Sequence, residues 1–198
     1  IRNRLSPHFI FNVLNQEVVN RKEEEKQELV SLVKLMRRNL ELAEQLCVTL
    51  AEELDFVKTY IDLERRSLGA TFHPVIEIAG DVLPESVWLP SMMIQIPVEN
   101  SVKHALRGKE GKRNLWIAAD RREGGVCIRI TDNGGGYHPE SRNRGTGTGM
   151  KVIMQTIQIL NMKNQAAIDI SVHNVTLPSG ETGCEVTFLL PDKYDYRI

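Results

Sequence analysis

Hydrophobic positions in the first third of the chain recur in alternating steps of four and three residues. This spacing is typical of a seam between packed helices. Thr49 and Glu52 have the spacing of a capping box, which predicts a break there and a new helix from about Leu50 to Leu68. The positions of the seam are Leu29, Val33, Met36, Leu40, Ala43, Cys47, Leu50, Leu54, Val57 and Ile61.

Two such helices cannot bury both of their apolar faces alone. We therefore expect residues 1–68 to form a helical hairpin that pairs with a second copy as a dimeric four-helix bundle. The alternative is that these helices pack within their own chain. The two arrangements differ in what covers the seam, and the pattern by itself leaves both open.

After Gly69 the pattern changes to short alternating segments that predict strands, with two amphipathic helices between them. Mixed helices and mostly antiparallel strands indicate a two-layer α/β sandwich, so the whole chain is predicted to be α+β, with one unit over residues 1–68 and a second over 69–198. The predicted strands are 73–78, 115–119, 126–131, 168–172 and 185–190, and the predicted helices are 90–106 and 150–162.

Composition narrows the functional classes. The 198 residues include 25 basic and 26 acidic side chains, so no global positive field favours nucleic-acid binding. The three cysteines have no metal-binding or disulfide-framework spacing, which favours a reducing compartment. No apolar run approaches the roughly 20 residues of a membrane span. Because the sequence begins with Ile1, we expect it to belong to a longer protein.

A histidine near the start of the chain is the first candidate for chemistry. Pro7 is suited to the first position of a helix, and His8 and Asn12 then lie one helical turn apart on the same face. An exposed imidazole is a possible nucleophile, because its unprotonated nitrogen carries a lone pair. This pair of residues means little without a reaction partner elsewhere in the chain.

The predicted helix 90–106 carries the second candidate. Asn100, Lys103 and His104 lie on one face of it and offer an amide oxygen, a positive charge and an imidazole. Such a face suits a triphosphate with Mg²⁺, which takes oxygen ligands and keeps several waters. An ordinary surface helix would also fit these three residues.

A carboxylate at the end of a predicted strand is the third candidate. Asp132 is followed by three glycines, including Gly134 and Gly136. A buried carboxylate there can accept a hydrogen bond from an exocyclic amine, and the glycines let the backbone approach a planar ring. The alternative is a tight turn, since Asn-Gly is a common turn signal.

A glycine-rich segment in front of a helix is the fourth candidate. Gly145, Gly147 and Gly149 alternate with threonines directly before the predicted helix 150–162. Backbone N–H groups at such a helix start, together with the helix dipole, can bind phosphate. A flexible linker would have the same composition.

The order of these segments is more specific than any one of them. An Asn-bearing helix, a strand-end Asp-x-Gly and a Gly-x-Gly-x-Gly before a helix resemble the N, G1 and G2 boxes of the GHKL ATPases, with residues 137–144 as a short ATP lid. With the upstream segment Pro7–Asn12, the resemblance narrows to LytS-like sensor histidine kinases of two-component systems. It covers nearly the whole chain, including 49–54 and 60–64.

The resemblance implies a Bergerat-type ATP-binding domain and an ATP-dependent protein-histidine kinase. His8 would be the phospho-acceptor, and Asn12 could orient its imidazole or a water. Asn100 would bind Mg²⁺ and Lys103 the phosphates of ATP, with His104 beside the nucleotide. Phe9 stands where many other histidine kinases have an acid, so the resemblance assigns no general base.

For the remaining segments the resemblance implies that Asp132 reads the adenine amine, that Gly134 and Gly136 shape the pocket, and that Gly145, Gly147 and Gly149 border the triphosphate. The partners implied are a second copy of the chain and the receiver domain of a response regulator, with no nucleic acid. The implied location is the cytoplasmic side of a protein anchored in the bacterial inner membrane.

Two other functions remain open at this point. One is a catalytically impaired module that binds nucleotide, dimerises and relays conformation. The other is a mechanical GHKL ATPase, in which a glutamate four residues before the metal-binding Asn activates water. Ile96 occupies that position here, which argues against steady ATP hydrolysis.

Overall fold

The computed structural model of the chain describes residues 45–137 and 147–197. The predictions for His8, Asn12 and Gly145, and for the first helix of the hairpin, concern residues outside these ranges. Within the ranges the chain is α+β, as predicted. The elements in chain order are β1 (Cys47–Thr49), α1 (Leu50–Leu68), β2 (Phe72–Ile78), β3 (Trp88–Pro90), α2 (Gln95–Asn100), β4 (Arg113–Arg122), β5 (Gly125–Asp132), α3 (Gly147–Asn161), β6 (Asp169–Thr176) and β7 (Thr182–Pro191).

The main sheet has five strands in the order β2-β4-β5-β7-β6. The β2–β4 pair is parallel and the other three pairs are antiparallel, which confirms the predicted hairpins β4–β5 and β6–β7. Alternate residues of β4 are buried, so one face of the sheet meets the core. Buried residues of α1, α2 and α3 belong to the same core cluster as those of the sheet. The result is a sheet with a layer of helices, as the sequence pattern indicates.

Helix α1 begins where the capping box predicts. The Thr49 hydroxyl accepts a hydrogen bond from the Glu52 backbone N–H at 3.2 Å, and the Thr49 N–H donates to the Glu52 carboxylate at 2.9 Å. These reciprocal bonds satisfy backbone donors that the first helical turn cannot pair by itself. The helix ends at Leu68, where Gly69 has a φ of 70°, a conformation that favours glycine.

The part of the hydrophobic seam that follows Thr49 is buried within the chain itself. Leu50, Leu54, Val57 and Ile61 are each at most 4% exposed and belong to the domain core. For α1, the structure therefore favours the intramolecular alternative over burial in a dimeric bundle. The division of the chain at residue 68 and the four-helix bundle stay predictions, although α1 shares its core with the sheet that follows.

The prediction of one continuous α-helix over residues 90–106 was wrong in two respects: the α-helix begins only at Gln95, and it is regular only as far as Asn100. Trp88–Pro90 forms a short strand that pairs antiparallel with Cys47–Thr49, because Val48 and Leu89 lie opposite each other and are both fully buried. A turn with Met92 at φ 69° then leads into α2. From Ser101 to Leu106 the helix widens to π geometry, a feature that is frequent at functional sites.

Candidate nucleotide site

The ends of β5 and α2 meet at the candidate site. Asp132 is the last residue of β5, and Ser101 directly follows Asn100, the last residue of α2. The Ser101 hydroxyl donates a hydrogen bond of 2.7 Å to Oδ2 of Asp132. This bond joins the strand-end carboxylate to the residue that follows Asn100, so two of the segments predicted from the sequence lie side by side.

Asp132 is a buried carboxylate with partners on both of its oxygens. It is 2% exposed, and its Oδ1 accepts a hydrogen bond of 2.8 Å from the backbone N–H of Gly134. Burial raises the pKa of Asp132, and hydrogen bonds from Gly134, Ser101 and the backbone of Cys184 oppose that rise. A carboxylate in this setting accepts a further donor readily, because a hydrogen bond compensates part of its lost hydration.

The glycines after Asp132 have packing reasons of their own. A Cβ on Gly134 would lie 2.3 Å from Cβ of Ala105, so only glycine lets this loop approach the helix that follows Asn100. Gly136 has a φ of 89°, and a Cβ there would meet Oδ1 of Asn174 at 2.8 Å. The glycines thus set the position of the loop, whatever ligand lies beside it.

The glycine at the start of α3 also permits a close approach. A Cβ on Gly149 would lie 2.9 Å from Cγ2 of Ile96 in α2. The start of α3, which begins at Gly147, is thereby held against the helix that carries Asn100. The residue at the position of the water-activating glutamate of mechanical ATPases, Ile96, fills this contact with a methyl group.

Asn100 and Lys103, two of the polar residues predicted to share a helix face, differ in their contacts. The amide of Asn100 makes no hydrogen bond to the residues that the structure describes. Lys103 instead forms an ion pair of 2.7 Å with Glu99, whose other oxygen accepts a 2.8 Å bond from the amide of Gln95. The Lys103 side chain is 50% exposed, so this pair can exchange for another anion at small cost.

His104 lies in the wall of an open cavity of about 650 Å³ beside the Gly134 loop. Lys109 and Glu181 line the same cavity and form an ion pair of 2.9 Å. The hydrogen bond from Lys109, with others from Asn133 and Ser179, lowers the pKa of Glu181 to about 2. This wall is therefore polar and its charges are internally paired.

The sequence did not predict the structural roles of three residues that build this site. Ser101 and the backbone of Cys184 hold Asp132. Asn133 is 1% exposed and ties the loop to the start of β4, since its side chain accepts from the N–H of Asn114 at 2.8 Å and donates to the carbonyl of Lys112 at 3.0 Å. The position of Asn133 directly after Asp132 was visible, but its partners lie in other strands and loops.

The donor set fits ATP with Mg²⁺. Asp132 offers a buried acceptor for an amine, Asn100 an amide oxygen with no hydrogen bond to the described residues, and Lys103 an exchangeable positive charge. An amide oxygen is a suitable Mg²⁺ ligand, and the ion takes most of its other ligands from water and phosphate.

Within the described ranges, no helix combines the length and apolar character needed to cross a bilayer.

Two family models match the chain. The model described as "Histidine kinase" matches residues 1–72, and the one described as "Histidine kinase-, DNA gyrase B-, and HSP90-like ATPase" matches residues 90–194. The second match covers more than half of the chain and contains Asn100, Asp132 and the glycine segments. The first match contains His8.

Curated relatives agree with both matches. The sensor protein LytS of Bacillus subtilis is 29% identical over 203 residues, which are 95% of this chain and 32% of that protein. The LytS sensor protein of Bacillus anthracis is 28% identical over 204 residues, with 96% and 33% covered. The sensor histidine kinase BtsS of Escherichia coli is 31% identical over 147 residues, with 73% and 26% covered. The chain thus spans about a third or less of the length of these relatives.

Solved structures support the fold. The histidine kinase domain of the Erythrobacter litoralis EL346 blue-light activated kinase has a TM-score of 0.51 at 14% identity, with 92% of this chain and 81% of that chain covered. The catalytic domain of histidine kinase ThkA has a TM-score of 0.50 at 15% identity, with 76% and 97% covered. The chain belongs to the family of histidine kinase-, DNA gyrase B- and HSP90-like ATPases, and over nearly its whole length its sequence is similar to LytS sensor proteins.

Proposed function

We propose that this chain binds ATP, transfers its γ-phosphoryl group to His8, and passes that group to an aspartate of a response regulator. The observation that carries the proposal is the buried carboxylate of Asp132, joined through Ser101 to the helix that carries Asn100. The match of residues 1–72 to the histidine kinase model supports His8 as the acceptor.

Each site residue has a role that its chemistry supports. Asp132 accepts a hydrogen bond from the exocyclic amine of adenine. Asn100 holds Mg²⁺, which when bound neutralises charge on the phosphates. Lys103 exchanges its pair with Glu99 for a phosphate oxygen, His104 contacts the nucleotide, and backbone N–H groups in the segment with Gly145, Gly147 and Gly149 face the triphosphate.

His8 acts in this proposal as a nucleophile. An unprotonated ring nitrogen attacks the γ-phosphorus, a nitrogen–phosphorus bond forms, and the bond to the ADP oxygen breaks. The other ring nitrogen then releases its proton to solvent. The protein contributes mainly position and charge stabilisation. Asn12, one helical turn from His8, orients the imidazole or a water.

The assembly follows from the same proposal. The active form is a homodimer, and the receiver domain of a response regulator is the partner for phosphotransfer. The chain is the cytoplasmic part of a protein anchored in the bacterial inner membrane. The proposal that this chain is part of a longer protein is supported by the length of its relatives, since proteins named as sensors are about three times as long as the matched region or longer.

The test is incubation of the chain with γ-labelled ATP and Mg²⁺. We expect an acid-labile label on the wild-type chain that His8→Gln removes. The matched control is His73→Gln, an exposed histidine of β2, which keeps the label. A label that persists in His8→Gln would show that another residue is the acceptor.

The same incubation separates the two other functions. An impaired nucleotide-binding module binds ATP but forms no phosphohistidine at any Mg²⁺ concentration. A mechanical ATPase releases phosphate over many turnovers. The contact of Ile96 with Gly149 places an apolar side chain where such an enzyme needs a glutamate, so we expect no sustained hydrolysis.

A further inference from the structure

A second carboxylate, Glu53 of α1, is buried away from the nucleotide site. It is fully buried, and its oxygens accept three hydrogen bonds from the turn that precedes α2 and from the first residue of α2. Oε2 accepts from the N–H of Met92 at 3.1 Å, and Oε1 accepts from those of Ile94 and Gln95 at 3.1 and 3.0 Å. All three donors are backbone groups, so the side chain fixes the path of the main chain.

The turn depends on this side chain for two reasons. The residue at the N-cap of α2, Ile94, has no side chain that could cap the helix, so Glu53 supplies the missing acceptor from another element. Met92 has a φ of 69°, which is unfavourable for a bulky residue and persists only where the surroundings enforce it. The Glu53 carboxylate binds the N–H of this same residue.

Helix α1 also contacts the far end of the Asn100 helix. Glu64 of α1 forms an ion pair of 2.7 Å with Arg107, which follows the π-helical segment. The helix with Asn100 is therefore held by α1 at its start through Glu53 and beyond its end through Glu64. The contact at the start is buried and the Arg107 side chain at the other is half exposed, so Glu53 has the stronger hold.

We propose that Glu53 is a positioning residue that sets the place of Asn100, and hence the Mg²⁺-dependent part of ATP binding. This inference rests on the proposed function, in which Asn100 holds Mg²⁺. Glu53 touches no reacting atom in it. Replacing a group that orients a metal-binding residue lowers the affinity for the metal.

The test compares Glu53→Gln with the wild-type chain by calorimetry. ADP in the presence of a chelator reports the adenine contact, and ATP with and without Mg²⁺ reports the gain in affinity from the metal. Glutamine keeps the shape, but its NH₂ group faces a backbone N–H that needs an acceptor. The matched control is Glu52→Gln, the neighbouring residue, which caps α1 and does not contact the turn.

We expect Glu53→Gln to reduce the Mg²⁺-dependent gain about tenfold and to leave ADP binding within about twofold. Glu52→Gln keeps the full gain. A gain in Glu53→Gln equal to that of the wild type would overturn the inference. Absence of any Mg²⁺-dependent ATP binding by the wild-type chain would instead overturn the proposed function on which it rests.

Two more variants separate positioning from simple loss of structure. Glycine adopts a positive φ without strain, so Met92→Gly added to Glu53→Gln should restore part of the Mg²⁺ gain. No restoration would count against the inference. If Glu53→Gln does not fold by circular dichroism, Glu53→Asp replaces it, because aspartate keeps the charge but is too short to reach all three N–H groups.

Discussion

The two most deeply buried carboxylates of the described chain have opposite kinds of surroundings. Glu53 is 0% exposed and Asp132 is 2% exposed, and burial raises the pKa of each. Glu53 accepts hydrogen bonds from three backbone N–H groups within residues 92–95. Asp132 receives a side-chain hydroxyl from one element and backbone N–H groups from the loop after β5 and from β7.

The difference shows that burial alone does not identify a ligand site. The three donors to Glu53 are backbone groups of residues 92–95, so its hydrogen bonds hold the main chain of one short segment in place. Asp132 lies where a helix, a strand end and a glycine loop converge, and one of its partners is a hydroxyl that can rotate. A buried carboxylate is a candidate for recognition when its partners come from several elements and can adjust.

The largest expected effect on stability is that of Glu53→Ala. It leaves two buried and one partly buried N–H group without their acceptor, so we expect the free energy of unfolding to fall by about 3 kcal/mol, at about 1 kcal/mol or more for each group. Denaturant titration measures this loss. A loss below about 1 kcal/mol would mean that relief of the buried charge offsets the bonds, and would contradict the structural role of Glu53.

A smaller loss is expected for Ser101→Ala. The hydroxyl of Ser101 donates to the buried Asp132 carboxylate, and hydrogen bonds to charged groups contribute about 1.5 to 3 kcal/mol, so we expect a loss near the lower value. The control is Ser179→Ala, which removes an exposed hydrogen bond from the Ser179 hydroxyl to Glu181 and should change stability by less than about 0.5 kcal/mol. Equal effects of the two substitutions would contradict the role of Ser101.

The smallest effect is on the pH dependence of stability. Because burial raises the pKa of Asp132 above its ordinary 3.8, the folded chain binds more protons than the unfolded chain between those two values. The free energy of unfolding therefore falls as the pH rises through that window. Asp132→Asn removes this contribution and should flatten the profile measured by denaturation at several pH values. A profile that stays unchanged in Asp132→Asn would contradict the raised pKa.

Local signals in the sequence predicted much of the fold. The capping box of Thr49 and Glu52 marked the start of α1, and period-two alternation marked the strands of β4–β5 and β6–β7. These features depend on residues close in sequence. The short β1–β3 pair was missed, because it depends on contact between Val48 and Leu89, which are remote in the chain.

For the candidate site, too, local signals were predictable from the sequence and contacts between side chains were not. The motif order identified Asn100 and Asp132, but nothing local shows that Ser101 joins them or that Lys103 pairs with Glu99. The role of Glu53 could not be predicted for the same reason, since in the sequence it is one of several charged residues of an amphipathic helix. Its three partners lie about 40 residues further along the chain.

The most direct test of the central claim compares ADP with IDP, its inosine analogue, as ligands of the wild type, Asp132→Asn and Glu53→Gln. Inosine has a carbonyl in place of the amine, so it presents an acceptor to the Asp132 carboxylate. We predict that the wild type and Glu53→Gln prefer ADP by about tenfold or more, since one such contact contributes about 1.4 kcal/mol, and that Asp132→Asn loses the preference. Equal affinity of the wild type for the two nucleotides, or a preference that survives in Asp132→Asn, would contradict the assignment of Asp132 as the residue that reads the base.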